Sequence, residues 1–232
     1  MLELENLSIG TGPVPVVRDI DLVVEPGKVT AVLGANGAGK SELVLGVAGV
    51  LPVAGGRVRI DGTDVTGMSP DRIRGTGLAA VPEGHQTLTR LSVEDNLLAA
   101  GSFSASRDLK NVLEEVFGIF PELQERRHQI AGTLSGGQQQ MLAIGHALMA
   151  RPRYILIDEM SLGLAPLIIK RLVTVVQALT DRNVGVLLVE QFIEVALALA
   201  DHVVVLRAGE IQLKMTPEEA AADRAALAEA YL

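Results

Sequence analysis

The segment GANGAGKS at 34–41 constrains the fold more tightly than any other part of this chain. It satisfies the GxxxxGK pattern closed by serine or threonine. It lies between an apolar run, Val29 to Leu33, and a helical pattern from about Lys40 to Val50. A glycine-rich turn joining a buried strand to a helix aims several backbone N–H groups into one hollow, which suits a polyphosphate. Gly34, Asn36, Gly37, Ala38, Gly39, Lys40 and Ser41 form the cradle on this reading. The N–H groups from Asn36 to Ser41 wrap the β-phosphate, Lys40 reaches the β- and γ-phosphates, and Ser41 ligates magnesium.

The rest of the chain supplies a sheet for that unit. Tyr154 to Ile157 and Val184 to Val189 are continuous apolar runs bounded by turn or charge signals, as in strands buried on both faces. A helix from Pro166 to Leu179 lies between them, with Pro166 suited to its first turn. This alternation predicts an α/β fold with a mostly parallel core sheet. The first 28 residues differ, because Leu2/Leu4, Leu7/Ile9 and Ile20/Leu22/Val24 alternate with polar residues, as in an antiparallel sheet. RVRI at 57–60 is a candidate to join it. The stretch 92–130 reads as helical: Ser92 caps SVEDNLLAA with Asp95 at the third helical position, a helix follows from Arg107 to Phe117, and a short one from Pro121 to Arg127. Thr216 to Leu232 opens with a cap, a proline and two acids and is expected to form one terminal helix. The expected organisation is a single domain over 1–232. Residues 1–90 and 151–215 would form the core and the antiparallel β-subdomain, 91–150 a helical subdomain, and 216–232 the terminal helix.

Two further segments carry chemistry. LSGGQQQ at 134–140 places two glycines and a serine just before the apolar helical run Met141 to Met149. Such a turn exposes backbone N–H groups at a helix N-terminus, an anion site; the plainer alternative is a helix cap made by Ser135. YILIDE at 154–159 is an apolar strand ending in two acids. Asp158 falls at the carboxyl end of the strand, where open α/β sheets bind ligands, and is a candidate to hold magnesium. Glu159 is then placed to orient or deprotonate an attacking water.

Composition removes other classes. Apolar residues make up 48% of the chain and aromatics 3%, so the core is expected to be built of Val, Leu, Ile and Ala. No run of 18 uncharged apolar residues marks a membrane span, and MLELENLSIG lacks the features of a secretion signal. Cysteine is absent, so there is neither a disulfide framework nor a cysteine metal cluster. The net charge of −8 argues against nucleic acid as a partner.

The phosphate loop, the LSGGQ segment and the acid-ended strand, in this order, resemble the nucleotide-binding subunits of ABC transporters over essentially the whole chain. The resemblance implies a P-loop ATPase that uses ATP and Mg2+. The LSGGQ segment of one subunit would close over ATP held by another. Leu134, Ser135, Gly136, Gly137 and Gln138 would thus serve the partner's nucleotide, presented by the helical subdomain. VPEG at 81–84, LSVEDNL at 91–97, QQMLAIGHALM at 139–149, SLGLAP at 161–166, LLVEQ at 187–191 and AEAYL at 228–232 are similar to the second ATPase subunit of branched-chain amino-acid uptake systems. Urea and short-chain amide importers share much of this pattern. Glu83, Gln191 and Ala165 stand where most ABC ATPases have glutamine, histidine and aspartate, and this subgroup usually carries the residues seen here. Glu83 is assigned to the joint between the metal–nucleotide site and the membrane partner. Gln191 keeps a neutral hydrogen bond to the γ-phosphate.

Some positions fit neither pattern. The adenine-stacking aromatic appears as Thr11, which leaves Val16 to pack on the base. Glu42 replaces a hydroxyl residue beside phosphate, where a carboxylate would repel the nucleotide. Met160 replaces proline, His146 replaces arginine, and His85–Gln86 replaces a basic pair.

The expected function is therefore ATP hydrolysis powering an importer, peripheral on the cytoplasmic face of the cell membrane. The partners implied by the resemblance are a second ATPase subunit (identical or not), two permeases and, indirectly, a solute-binding protein. A surface around 83–105 would receive the permease, with Phe103 a candidate anchor. The alternative from another class is a soluble or weakly hydrolysing regulatory ATPase, which Thr11 and Glu42 keep open.

Overall fold

The computed structural model describes residues 1–84, 86–102 and 108–231, the side chain of Tyr231 excepted. Two sheets grow from one chain. β1 (Leu2–Ile9) and β2 (Val17–Val24) pair antiparallel, with Leu2 opposite Val24 and Ile9 opposite Val17. β3 (Val29–Leu33) then runs into α1 (Lys40–Val47). β4 (Val53–Ile60) returns to the other edge of β1, and the two-residue β5 (Thr63–Asp64) completes a sheet of order β2-β1-β4-β5. RVRI is the second half of β4. Inward-facing Leu2, Leu4, Leu7 and Ile9 are buried, as alternation on a one-sided sheet requires.

The remaining elements follow in order. α2 (Pro70–Gly75) and β6 (Leu78–Val81) precede a helical stretch of α3 (Val93–Gly101), α4 (Leu109–Ile119), α5 (Pro121–Gln124) and α6 (Gly136–Leu148). β7 (Tyr154–Asp158), α7 (Pro166–Thr180), β8 (Gly185–Glu190) and α8 (Ile193–Leu197) come next. β9 (His202–Arg207), β10 (Glu210–Met215), α9 (Pro217–Ala222) and α10 (Arg224–Tyr231) end the chain. The second sheet has the order β10-β9-β3-β8-β7-β6, parallel throughout except for the β9–β10 hairpin.

Packing explains why the central strands are apolar at every position. Along β7, Ile155 and Ile157 face α6 and α7, packing with Ile144, Leu148 and Val176. Tyr154 and Leu156 face the opposite way, into a layer with α1 and the antiparallel sheet. α1 is wedged between the sheets, with Leu43, Val44 and Val47 in the same cluster as Leu2, Ile9, Leu187 and Val189. Each such buried aliphatic side chain contributes roughly 1.5–3 kcal/mol relative to exposure. The wedge is tight: a Cβ on Gly46 would lie 2.3 Å from Ile9 Cδ1. The helix that follows the phosphate loop is therefore clamped from both sides.

Several elements differ from the sequence expectation. α1 stops at Val47 instead of reaching Val50, because Gly49 turns left-handed (φ 76) just beyond its end. The helix expected from Arg107 begins at Leu109; Arg107 itself, like Phe103 and His85, lies outside the described residues. The helix after Pro121 ends at Gln124. The single terminal helix expected over 216–232 is two helices. They break at Asp223 (φ −116, ψ 68), whose carboxylate accepts from the Ala226 amide at 2.9 Å and caps the second.

Candidate functional site

The phosphate loop leaves β3 at the carboxyl edge of the parallel sheet. Gly37 and Gly39 adopt left-handed φ values of 80 and 101, conformations that a side chain would disfavour. Gly39 is the N-cap of α1, so the first-turn amides of that helix face outward from the sheet edge. Beside it lies a cavity of about 350 Å3 lined by Asn36, Gly37, Gly39, Lys40, Ser41, Glu42, Glu83, Glu159, Leu162 and Gln191. Residues from four separate segments thus converge on one hollow.

Its charges are arranged around one cation. Lys40 is buried, and its Nζ lies 3.3 Å from Glu159 Oε1 while donating to the Ala35 carbonyl at 3.2 Å. Glu159 sits in the left-handed region (φ 48), which is sparsely populated for a non-glycine residue and costs about 1–3 kcal/mol. Its amide donates to the Val189 carbonyl at 2.9 Å, so the neighbouring strand fixes the turn that aims the carboxylate at Lys40. Asp158 is 1% exposed, and its Oδ1 has no hydrogen-bond partner. Burial pushes its carboxyl up to about 6. The Ser41 hydroxyl opposes that shift, while the charges of Glu159 and Glu83 add to it.

A buried carboxylate oxygen without a donor, next to a serine hydroxyl, suits a hard cation. Among the described residues no group of three or more His, Cys, Asp or Glu side chains would hold a metal alone. That fits magnesium, which takes one or two protein ligands and completes its shell with water and phosphate oxygens. Ser41 and Asp158 fit this role directly; Glu83 is exposed and bears on the site through its charge.

Other candidate residues fall into place with less convergence. Val16 is 48% exposed on the loop before β2, and its backbone packs against Gly39 and Gly209, beside the phosphate loop but outside the cavity. Thr11 is exposed on the same loop. Glu42 lines the cavity, so its carboxylate shares the hollow with Lys40. Met160 is 1% exposed in the larger core, which gives the loss of proline a packing explanation.

The LSGGQ segment is elsewhere: none of Leu134 to Gln138 lines the phosphate cavity. Ser135 is the N-cap of α6. Its hydroxyl accepts from the Gln138 amide at 3.4 Å, and the Gln138 side chain accepts from the Ser135 amide at 3.0 Å. The cap reading is thus realised. It occupies the amides of Ser135 and Gln138 and leaves those of Gly136 and Gly137 without partners inside the helix. Gly137 is required by packing, since a Cβ there would lie 2.7 Å from Ile168 Cγ2.

A separate cavity of about 450 Å3 is walled by Val50, Arg74, Leu88, Asn96, His146 and neighbours; it includes part of the 83–105 surface expected from the sequence, while the α1 and α2 residues of its wall were not foreseen. Asn96 is fully buried and bonds Leu88 through both its amide and carbonyl, pinning the 86–92 segment to α3. Arg74 donates to the Ala100 and His146 carbonyls, joining α3 to α6. His146 is pushed down to about 4, first by burial and then by the Arg74 charge.

A strand–glycine loop–helix with a buried lysine, an acid-ended strand and a separate capped glycine loop defines an ABC-type ATPase. Accordingly, the family model described as ABC transporter matches residues 17–161, and the chain belongs to that family. Among relatives, it is 41% identical over 216 residues to the high-affinity branched-chain amino acid transport ATP-binding protein BraG of Pseudomonas aeruginosa, covering 93% of each chain. It is 31% identical over 223 residues to the probable branched-chain amino acid transport ATP-binding protein LivF of Archaeoglobus fulgidus, covering 94% of this chain and 93% of that one. A solved nucleotide-free ATP-binding cassette from an ABC transporter superposes with a TM-score of 0.87 at 26% identity, covering 100% and 98% of the two chains. The protein is an ATPase of the transporter class. Among its described residues, no helix is long and apolar enough to cross a membrane.

Proposed function

We propose that this chain hydrolyses ATP as the cytoplasmic, membrane-peripheral motor subunit of an importer for branched-chain or related amino acids. The observation that carries the chemistry is the convergence of Lys40, Glu159, Asp158, Ser41 and Gln191 at the mouth of the phosphate loop. The names of the two relatives above favour amino acids over urea or amides as cargo.

In this reading the amides of Asn36 to Ser41 hold the β-phosphate and Val16 packs on the base. Lys40 leaves Glu159 to pair with phosphate oxygens, and that exchange releases the Glu159 carboxylate to orient and deprotonate the attacking water. Gln191 donates to the γ-phosphate as a neutral group. Ser41 and Asp158 hold magnesium, with Glu83 nearby. A magnesium ion held by these residues would supply neutralisation of the phosphate charge. Leu134 to Gln138, absent from this cavity, serve the nucleotide of a second ATPase subunit through the Gly136 and Gly137 amides. The groove lined by Pro82, Gln86, Leu88 and Arg74 receives a permease segment.

Steady-state turnover of the wild type and Glu159→Gln tests the catalytic assignment. A loss of at least about a hundredfold in kcat with ATP binding retained is expected. Equal rates would remove Glu159 from the mechanism.

A further inference from the structure

Glu190 is the last residue of β8, one position before Gln191, and it is 1% exposed. Its Oε1 accepts from the Ser161 amide at 3.2 Å and its Oε2 from the Ser161 hydroxyl at 2.7 Å, both bonds buried. The Phe192 amide is a further donor. Ser161 is also 1% exposed. Among the described residues no cation pairs with this carboxylate. Burying a charge without a counterion is costly unless hydrogen bonds replace the lost water, so an apolar pair would suit stability better here. The proposed mechanism leaves this clamp without a role.

Its position supplies one. β7 and β8 are parallel neighbours, with Asp158 opposite Val189, so the two loops leave the same sheet edge side by side. The first carries Glu159, Ser161 and then Leu162, which lines the phosphate cavity and is 39% exposed. The second carries Gln191 and then Phe192, which is 48% exposed. The carboxylate is a direct side-chain link between them.

We propose that Glu190 is a positioning residue for ATP turnover. Its bonds to Ser161 lock the loop carrying Glu159 and Leu162 to the loop carrying Gln191, so that contact made on one loop sets the geometry of the other. The inference rests on the assignment of Glu159 and Gln191 to hydrolysis given above.

Ser161→Ala removes one donor and buries nothing new; Glu190→Gln keeps the shape and removes the charge. Both are compared with wild type and Glu159→Gln in the 232-residue chain, well below each variant's Tm. Each is expected to lower kcat by about tenfold while KM for ATP stays within about twofold. The double variant is expected to fall no further than the more damaged single one, because both changes break one link. Near-wild-type kcat in both single variants, with Glu159→Gln inactive, would overturn the positioning role and leave the proposed function standing. So would losses that multiply in the double variant, or a raised KM at unchanged kcat. Equal turnover by wild type and Glu159→Gln would overturn both.

Discussion

Asp158 and Glu42 show how single carboxylates shape this site. Asp158 titrates at about 6 instead of 3.8, so folding disfavours its ionised form: stability falls as pH rises through that window, and the loss is complete above it. Asp158→Asn should therefore stabilise the nucleotide-free protein at pH 8 by roughly 1–3 kcal/mol while abolishing magnesium-dependent turnover. Thermal denaturation beside an ATPase assay checks both signs; a lower Tm would contradict the cost assigned to the unpaired oxygen. Glu42 lies in the same hollow as the phosphate cradle. Glu42→Thr is expected to tighten ATP binding about fivefold, roughly 1 kcal/mol of relieved repulsion. Isothermal titration showing unchanged or weaker affinity would count against that repulsion. Both acids were legible in the sequence, since each stands in or beside a motif with a known charge requirement. Glu190 was not, because a glutamate ending an apolar run reads as an ordinary strand end until Ser161 is placed against it.

At the level of elements, strands buried on both faces are the easiest to read and short or amphipathic ones the hardest. β3, β7 and β8 are continuous apolar runs, and the sequence marks each within a residue or so. β6 has four residues, and β10 alternates in exposure along its length, so neither stands out from a loop. The break at Asp223 was hidden because an aspartate within an alanine-rich run is compatible with one helix until its carboxylate is seen capping the next. The α6–α7 contact offers a test at this scale. Gly137→Ala would place a methyl 2.7 Å from Ile168, a β-branched residue with little rotamer freedom. A loss of about 1–3 kcal/mol is expected, outweighing the helix propensity gained. Adding Ile168→Ala should recover most of the Gly137→Ala penalty, measured as a double-mutant cycle in denaturant. Simple additivity would show that the contact is not the cause.

Across the whole molecule, α1, α2 and β6 meet the helices α3 and α6 at the groove where Arg74 and His146 are half-buried. His146 is pushed to about 4, so the folded protein binds fewer protons there than the unfolded chain between roughly pH 4 and 6.5. Stability contributed at this site is present above that window and lost as pH falls through it, by roughly 3 kcal/mol in full. His146→Gln should show a correspondingly shallower acid limb in Tm against pH; an identical limb would place the proton elsewhere. At the same scale, the proposed function gives one chain halves of two different ATP sites: the phosphate loop in its own cavity and the LSGGQ cap outside it. Measuring ATP affinity and turnover of Ser135→Arg side by side tests this most directly. Affinity within about twofold of wild type and turnover reduced by at least about a hundredfold are expected. Retained turnover, or affinity lost in parallel with it, would contradict the claim.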